Sequence, residues 1–115
     1  MTCKRGILIR NNQSLCELGI ADTVATRMKG LLGDKPLGVK QGLLISPCHS
    51  IHTFRMKYAL DVVFLNRAGK VIKISLSVKP NRIRASLRAV YVLEFKSGQA
   101  KALGIEKNQQ LTWML

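Results

Sequence analysis

Several residue types are scarce in this chain of 115 residues, and each scarcity excludes a class of protein. The three cysteines contain no CxxC pair, so they indicate neither a zinc site nor a disulfide framework. No apolar run approaches the roughly 18 residues that a transmembrane helix needs. The start, MTCKRGILIRNN, is too weakly apolar for a secretory signal. We therefore predict a cytoplasmic protein with reduced thiols and no membrane span.

Acidic residues are also few, because six Asp and Glu stand against nineteen Lys and Arg. The resulting net charge of +13 at pH 7 attracts polyanions. The densest basic stretch is VKPNRIRASLR, in which Pro80 and Asn81 indicate a loop. Its cations form what we name the basic patch, a candidate anion-binding site: Lys79, Arg82, Arg84 and Arg88.

The basic patch has two possible roles. It either binds nucleic acid or an acidic protein, or it is a solvated surface that keeps the chain soluble. Aromatic residues make up only 5% of the chain, and no RNA-recognition or helix-turn-helix pattern supports nucleic acid in particular.

Aliphatic residues are plentiful, and hydrophobic residues reach 47% of the chain. A chain of this length buries about two-thirds of its unfolded surface, so we predict one domain over residues 1–115. Strand-like segments dominate the pattern, beginning with a hairpin in which Asn11 and Asn12 separate GILIR from SLCELGIA. Further strands are LLIS, SIHTFRM, LDVVFL, KVIKISLSV, AVYVLEF and QLTWML.

Two segments have helical character. TVATRMKGLLG follows Asp22, and SGQAKALGI has Ser97 as its capping residue. The prediction is an α+β fold, in which a curved, barrel-like, mostly antiparallel sheet of six to eight short strands is accompanied by one or two short helices.

The stretch SPCHSIHTFRMKYALDVVFLNR contains both histidines and is the candidate for nucleophilic or metal chemistry. On a strand the α-carbons of Cys48 and His52 are roughly 13 Å apart, too far for a direct hydrogen bond. His49 and His52 point to opposite faces of such a strand. The sequence therefore predicts no metal site and no cofactor.

Two acids interrupt apolar strands, Asp61 in LDVVFL and Glu94 in AVYVLEF. A buried carboxylate is costly without hydrogen-bond donors, so both are expected to be paired. For Glu94 an alternative is to accept N–H bonds at the start of the next helix. The candidate partners of Asp61 come from the preceding strand: His52, Thr53, Arg55 and Lys57.

These acids have either a structural role or a place in a ligand-facing cluster of His52, Thr53, Asp61 and Glu94. The favoured function is a non-enzymatic binding or accessory protein for an acidic partner or nucleic acid. The alternative is a hydrolase with His52 as base and Asp61 as orienting acid. Its nucleophile is not identified, because Ser50 lies roughly 6 to 7 Å from His52 on a strand. The sequence does not define an oligomeric state.

Three stretches resemble one known family. RMKGLLG, then GLLISPCHSIHTFRMKYALDVVFLNRAGKVIKI, then YVLEFKSGQAKALGI are similar in order and spacing to the domain of unknown function 192 family of small bacterial and archaeal proteins. The resemblance covers about residues 18 to 115. It implies a compact α+β domain with a curved, barrel-like sheet, and it implies no reaction, cofactor or partner. The matching positions are Gly30, Leu31, His52, Thr53, Met56, Asp61, Glu94 and Gly98.

Two positions depart from the family pattern. Ala59 stands where the family has Pro before the Leu-Asp pair, so the turn into that strand is less constrained. Asn108 and Gln109 replace a Gly-Asp turn; asparagine still tolerates positive φ, but a carboxylate is lost.

Overall fold

The first hairpin follows the sequence pattern closely. The structure is a computed structural model that describes residues 4–21, 37–54 and 56–115. Strand β1 (Lys4–Arg10) pairs antiparallel with β2 (Gln13–Ala21). Asn11 and Asn12 turn the chain at φ of 52° and 63°, a left-handed backbone that asparagine tolerates better than most residues. The predicted hairpin is confirmed.

The other elements follow in chain order and include a short helix. They are β3 (Gln41–Ile45), β4 (Ser50–His52), β5 (Leu60–Leu65), β6 (Val71–Val78), β7 (Ile83–Ala85), β8 (Tyr91–Lys96), α1 (Gln99–Ala102) and β9 (Thr112–Met114). Seven strands form one sheet in the order β6-β5-β8-β3-β2-β1-β9. Its pairs are antiparallel except β2 with β3, which run parallel. The α+β class and the mostly antiparallel pairing are confirmed.

The large sheet is not closed into a barrel, so the barrel-like prediction holds only in part. Strands β6 and β9 are its edges. At one end an isolated antiparallel bridge between Lys70 and Gln110 links the chain before β6 to the chain before β9. Nearby, Asn108 takes a φ of 75° and donates its N–H to the Val71 carbonyl at 2.8 Å, as expected of asparagine at this turn. The N–H groups of Val71 and Leu111 donate to the carbonyls of Gln109 and Gly69 in the same region, whereas β6 and β9 themselves are not neighbours in the sheet.

Strands β4 and β7 form a second, two-stranded sheet. The described residues thus contain nine strands, where the sequence predicted six to eight. The additional strand is β7, which lies within the segment that Pro80 and Asn81 mark as a loop. The turn is present, since Asn81 has a φ of 64°, but the chain returns to extended conformation two residues later.

The helix α1 lies where SGQAKALGI predicted one, but its start differs. Gly98 is the N-cap residue at a φ of 94°, a conformation that favours glycine. Because glycine has no side chain, the N-cap residue makes no capping hydrogen bond. Ser97 was the predicted cap; its hydroxyl instead bonds the Ser77 hydroxyl at 2.6 Å. The helix predicted in TVATRMKGLLG lies outside the described residues. No helix in the described part of the chain has the length and apolar character to cross a membrane.

The core lies on both faces of the large sheet. All six residues of β5 are buried, and successive residues on a strand point to opposite faces. Each buried Leu or Phe side chain contributes about 1.5 to 3 kcal/mol to stability. Because buried side chains leave β5 on both sides, an apolar layer lies on each face of the sheet. The first layer includes Leu8, Leu18, Leu44, Val63, Leu65, Leu93 and Phe95. The second includes Leu43, Ile45, Ile51, Met56, Leu60, Val62, Phe64 and Val92.

Gly42 shows how tightly the first layer is packed, and it yields a prediction. A Cβ added to Gly42 would lie 2.7 Å from the Phe95 ring and 3.0 Å from the Leu18 side chain. Because Phe95 is fully buried, its ring has no room to move away. We expect Gly42→Ala to lower the free energy of unfolding by about 1 to 3 kcal/mol in urea denaturation.

Gly19→Ala is the matched control on the neighbouring strand. Its added Cβ would meet only Leu43, at an ordinary contact distance of 3.4 Å. An equal loss of stability in both variants would contradict the packing explanation.

Candidate anion-binding site

The two-stranded sheet holds one end of the basic patch against the core. Its pairs are Ser50 with Ala85, Ile51 with Arg84, and His52 with Ile83. Ile51 is buried in the second apolar layer. His52 and Ile83 point to the opposite side and are exposed. Side chains alternate along β4, so Ile51 anchors the small sheet to the core while Ser50 and His52 are exposed to solvent.

Thr53 connects this sheet to the loop that carries the basic patch. Its side chain is fully buried, and its hydroxyl donates to the Lys79 carbonyl at 2.7 Å while accepting the Arg82 N–H at 2.9 Å. Its backbone N–H donates to the Arg82 carbonyl at 2.8 Å, and its own carbonyl accepts the Asn81 N–H at 3.0 Å. A hydroxyl is the small group that both donates and accepts, so threonine suits this position. The loop is thereby fixed in place.

Lys79 and Arg82 lie at the two ends of this fixed loop, Arg84 lies on β7, and Arg88 lies in the turn that follows β7. Lys79, Arg82 and Arg88 are exposed and Arg84 is half-buried. The Arg84 guanidinium donates to the adjacent Ile83 carbonyl at 2.8 Å. The structure thus places the predicted patch on one continuous segment of ordered backbone.

The described segments on either side of the patch in sequence, residues 37–54 and 56–93, contain no exposed acidic side chain. Within described residues 37–54 and 56–93 the only acid is Asp61, which is 0% exposed. The same residues contain nine Lys and Arg side chains, of which eight are exposed and one is half-buried. The potential over this part of the surface is therefore positive without local compensation.

An aromatic pair adjoins the patch. The rings of His52 and Phe54 stack with centroids 4.9 Å apart and an interplanar angle of 26°. The Phe54 N–H donates to Nδ1 of His52 at 3.3 Å. The Cys48 thiol donates to the Ser50 carbonyl at 3.0 Å. Each of these hydrogen bonds stays within its own turn of chain, and none of them joins the thiol to the imidazole.

Asp61 pairs with backbone donors instead of the predicted side chains. Its Oδ1 accepts the Ser77 N–H at 2.8 Å, and its Oδ2 accepts the N–H groups of Gly98 and Ala100 at 2.9 and 3.0 Å. Pairing of this buried carboxylate is confirmed. The donors predicted from the preceding strand, His52, Thr53 and Lys57, do not supply these bonds, and Arg55 lies outside the described residues.

These three donors are ones that the fold would otherwise leave unpaired. The register between strands β5 and β6 shifts between Leu60 and Val62, so that two residues of β6 are opposite Asp61. Ser77 is one of them, at a φ of 48°, as in a β-bulge. Gly98 and Ala100 stand at the start of α1, where N–H groups lack helical partners. Asp61 therefore joins the bulge to the helix.

Glu94 lies on the other face of the sheet. Asp61 pairs with Phe95 across β5 and β8, whereas Glu94 pairs with Val62, the next residue along. Burial raises the pKa of Glu94 from 4.5 to about 8, so it is mostly protonated at neutral pH. The Tyr58 pKa is raised by burial and by the charge of Glu94. The helix-start role expected for Glu94 is filled by Asp61.

The candidate cluster of four residues is consequently divided. The chain brings His52 and Thr53 to the basic patch, because they are adjacent on and after β4. It holds Asp61 beneath α1 and Glu94 on the opposite face of the sheet. Sequence reasoning missed Phe54 as part of the exposed site; its signal was an aromatic residue two positions from a histidine on a strand, which places both rings on one side.

This geometry defines an open, largely antiparallel α+β fold. The chain belongs to the DUF192 family, described as "Uncharacterized ACR", whose sequence model matches residues 7–113. The suspected resemblance is confirmed.

Two relatives agree with this assignment. A UPF0127 protein of Pyrococcus furiosus is 32% identical over 103 residues, covering 84% of this chain and 86% of the relative. A UPF0127 protein of Pyrococcus horikoshii is 31% identical over 101 residues, covering 84% and 87%.

Two crystal structures are similar to this fold at 21% identity. One is a protein of unknown function from Novosphingobium aromaticivorans, with a TM-score of 0.79 over 96% of this chain and 85% of that one. The other, from Sinorhizobium meliloti, is described as a proposed transcription regulator and has a TM-score of 0.83 over 98% and 96%. At this identity the likeness shows the fold alone.

Removing the Asp61 carboxylate should destabilise the fold. Asp61→Ala leaves three N–H groups without their acceptor. We expect the free energy of unfolding to fall by about 1 to 3 kcal/mol in urea denaturation at pH 7. Glu106→Ala, which removes an exposed carboxylate, is the control and should change stability little. An unchanged midpoint for Asp61→Ala would refute the structural role.

Glu94 should make stability depend on pH. Because its pKa is raised in the folded state, its stabilising contribution is complete below pH 4.5 and is lost as pH rises through about 8. The free energy of unfolding should therefore fall between pH 5.5 and 8.5, by at most about 1.4 kcal/mol per pH unit from this group. Glu94→Gln stays neutral and should flatten that slope. Parallel pH profiles for the two proteins would contradict the assignment.

Proposed function

We propose that this chain is a non-enzymatic binding domain whose basic patch binds a polyanionic partner. The observation that carries the proposal is the complete positive bias of the exposed charges in residues 37–54 and 56–93. A merely solubilising surface works equally well with both signs interspersed. A one-sided field attracts and orients a negatively charged partner.

The frame beneath the patch supports the same proposal. Exposed Lys and Arg side chains on a loose loop would lose conformational entropy on binding. Here Thr53 fixes both ends of the segment from Lys79 to Arg82, and β7 continues it in pairing with β4. The backbone that carries the cations is therefore ordered before a partner arrives.

The hydrolase alternative gains no such support. Both oxygens of Asp61 accept backbone N–H groups, and the carboxylate has no exposed surface. His52 is exposed, with its Nδ1 accepting the Phe54 N–H. An orienting acid must hydrogen-bond the base that it positions, and neither residue's bonds reach the other.

The Sinorhizobium meliloti protein's description as a proposed transcription regulator is compatible with a nucleic-acid-related role in this chain as well.

Loss of charge from the patch should weaken polyanion binding. The double variant Lys79→Gln, Arg88→Gln removes two exposed charges and lowers the net charge from +13 to +11. With heparin as probe we expect weaker affinity and a shallower decrease of affinity with salt, since fewer counterions are released. Salt titrations of the binding constant measure both.

A charge-matched control separates the patch from net charge. The double variant Lys101→Gln, Lys107→Gln also gives +11 but removes exposed cations on and after α1. It should retain most of the affinity and the salt dependence. Equal losses in the two variants, or a salt-independent affinity in the unmodified protein, would overturn the proposed function.

A further inference from the structure

We infer that the polyanion is a single-stranded nucleic acid and that one of its bases stacks on Phe54. The inference rests on the proposed function and adds the class of ligand. It is drawn from the aromatic pair beside the patch, which charge attraction does not explain.

Phe54 is exposed to an extent that the fold does not require. The chain has six Phe, Tyr and Trp residues, and all six lie in its described part. Phe64 and Phe95 are fully buried, and Tyr91 and Trp113 pack edge to face, half-buried. Phe54 alone of the six is exposed, at 43%. A single exposed ring is ordinary on a protein surface, and what sets Phe54 apart is its stacking on His52 next to the loop of the basic patch.

The Phe54 ring is also held in one orientation. It stacks on His52, whose Nδ1 accepts the Phe54 N–H at 3.3 Å. Both residues flank Thr53, which is fixed to the loop of the basic patch. A ring positioned in this way presents a platform without further loss of side-chain entropy, as a stacking surface requires.

Aromatic ring and cations come from adjoining segments. Thr53 lies between the two rings and bonds the backbone at Lys79 and Arg82 on either side of the turn. Ile83, 60% exposed, is opposite His52 in the small sheet. In the inferred complex the base stacks on Phe54, and its flanking phosphates meet the positive segment from Lys79 to Arg82, whose backbone Thr53 holds.

This combination favours a single strand over the other polyanions. Duplex bases are stacked on each other and offer no free face to a ring. An acidic peptide needs the cations but gains little from a flat aromatic platform. Single strands use both, because every base has a face for stacking and every linkage a negative charge.

Binding of fluorescein-labelled oligothymidylate of about 15 nucleotides, followed by fluorescence anisotropy, tests the inference. Competitors are a duplex of equal length, heparin and poly-glutamate. We expect the single strand to bind most tightly. Phe54→Leu should weaken its binding by about 5- to 100-fold, leave heparin binding unchanged, and keep the salt dependence. Phe54→Trp should restore binding, and its fluorescence should be quenched by the oligonucleotide.

Leu87→Ala is the control for general apolar contact, since Leu87 is 89% exposed and precedes Arg88. It should bind the oligonucleotide as the unmodified protein does. The inference is overturned if Phe54→Leu binds normally, if Leu87→Ala loses as much affinity, or if duplex, heparin or poly-glutamate compete better than the single strand. Those results would leave the proposed function intact. Unchanged binding of every polyanion by the Lys79→Gln, Arg88→Gln variant would remove both.

Discussion

The fold depends on one carboxylate that accepts three backbone N–H groups from two distant parts of the chain. Asp61 stands on β5, the strand next to the edge strand β6, and its donors at Ser77, Gly98 and Ala100 follow by 16, 37 and 39 residues. A bulge in β6 and the start of α1 each leave N–H groups that the sheet and helix cannot pair. One side chain satisfies both, so the edge of the sheet and the helix hold fixed positions relative to β5.

The second buried acid illustrates the opposite solution to the same cost. Glu94 lies on the neighbouring strand β8, where it pairs with Val62 and not with Asp61. Its side chain therefore faces the other apolar layer. Its burial is accommodated by a raised pKa of about 8, which keeps the carboxyl protonated near neutrality. Asp61 is accommodated by hydrogen bonds. Two acids in similar apolar sequence thus face opposite sides of the sheet because of strand parity.

Sequence patterns predicted the elements better than the contacts between them. The asparagine pair identified the first hairpin, and apolar runs identified β5 and β8, because these signals are local. β7 was missed, since its Arg84 and the nearby Pro80 read as loop residues. The donors to Asp61 were beyond reach because they lie far along the chain. LDVVFL and AVYVLEF are apolar on both faces, so no alternation indicated which acid faces the helix.

The candidate site was predicted in part for the same reason. The basic patch is a linear feature, and the structure keeps its four residues along one segment. The proposed cluster of His52, Thr53, Asp61 and Glu94 required a three-dimensional arrangement, which the sheet does not provide. Thr53 belongs instead to the patch, as the buried residue that fixes its loop.

The small sheet is the part of the fold that stability alone does not account for. Two strands of three residues are marginal by themselves. The chain fixes them with a buried threonine hydroxyl and one buried isoleucine, while leaving Phe54 and Ile83 exposed. These buried groups therefore hold in place a small sheet that would be unstable in isolation. Positions where local rules of stability are broken and the break is held in place are characteristic of functional sites, and the basic patch with its aromatic pair, for which we propose a binding role, is such a position.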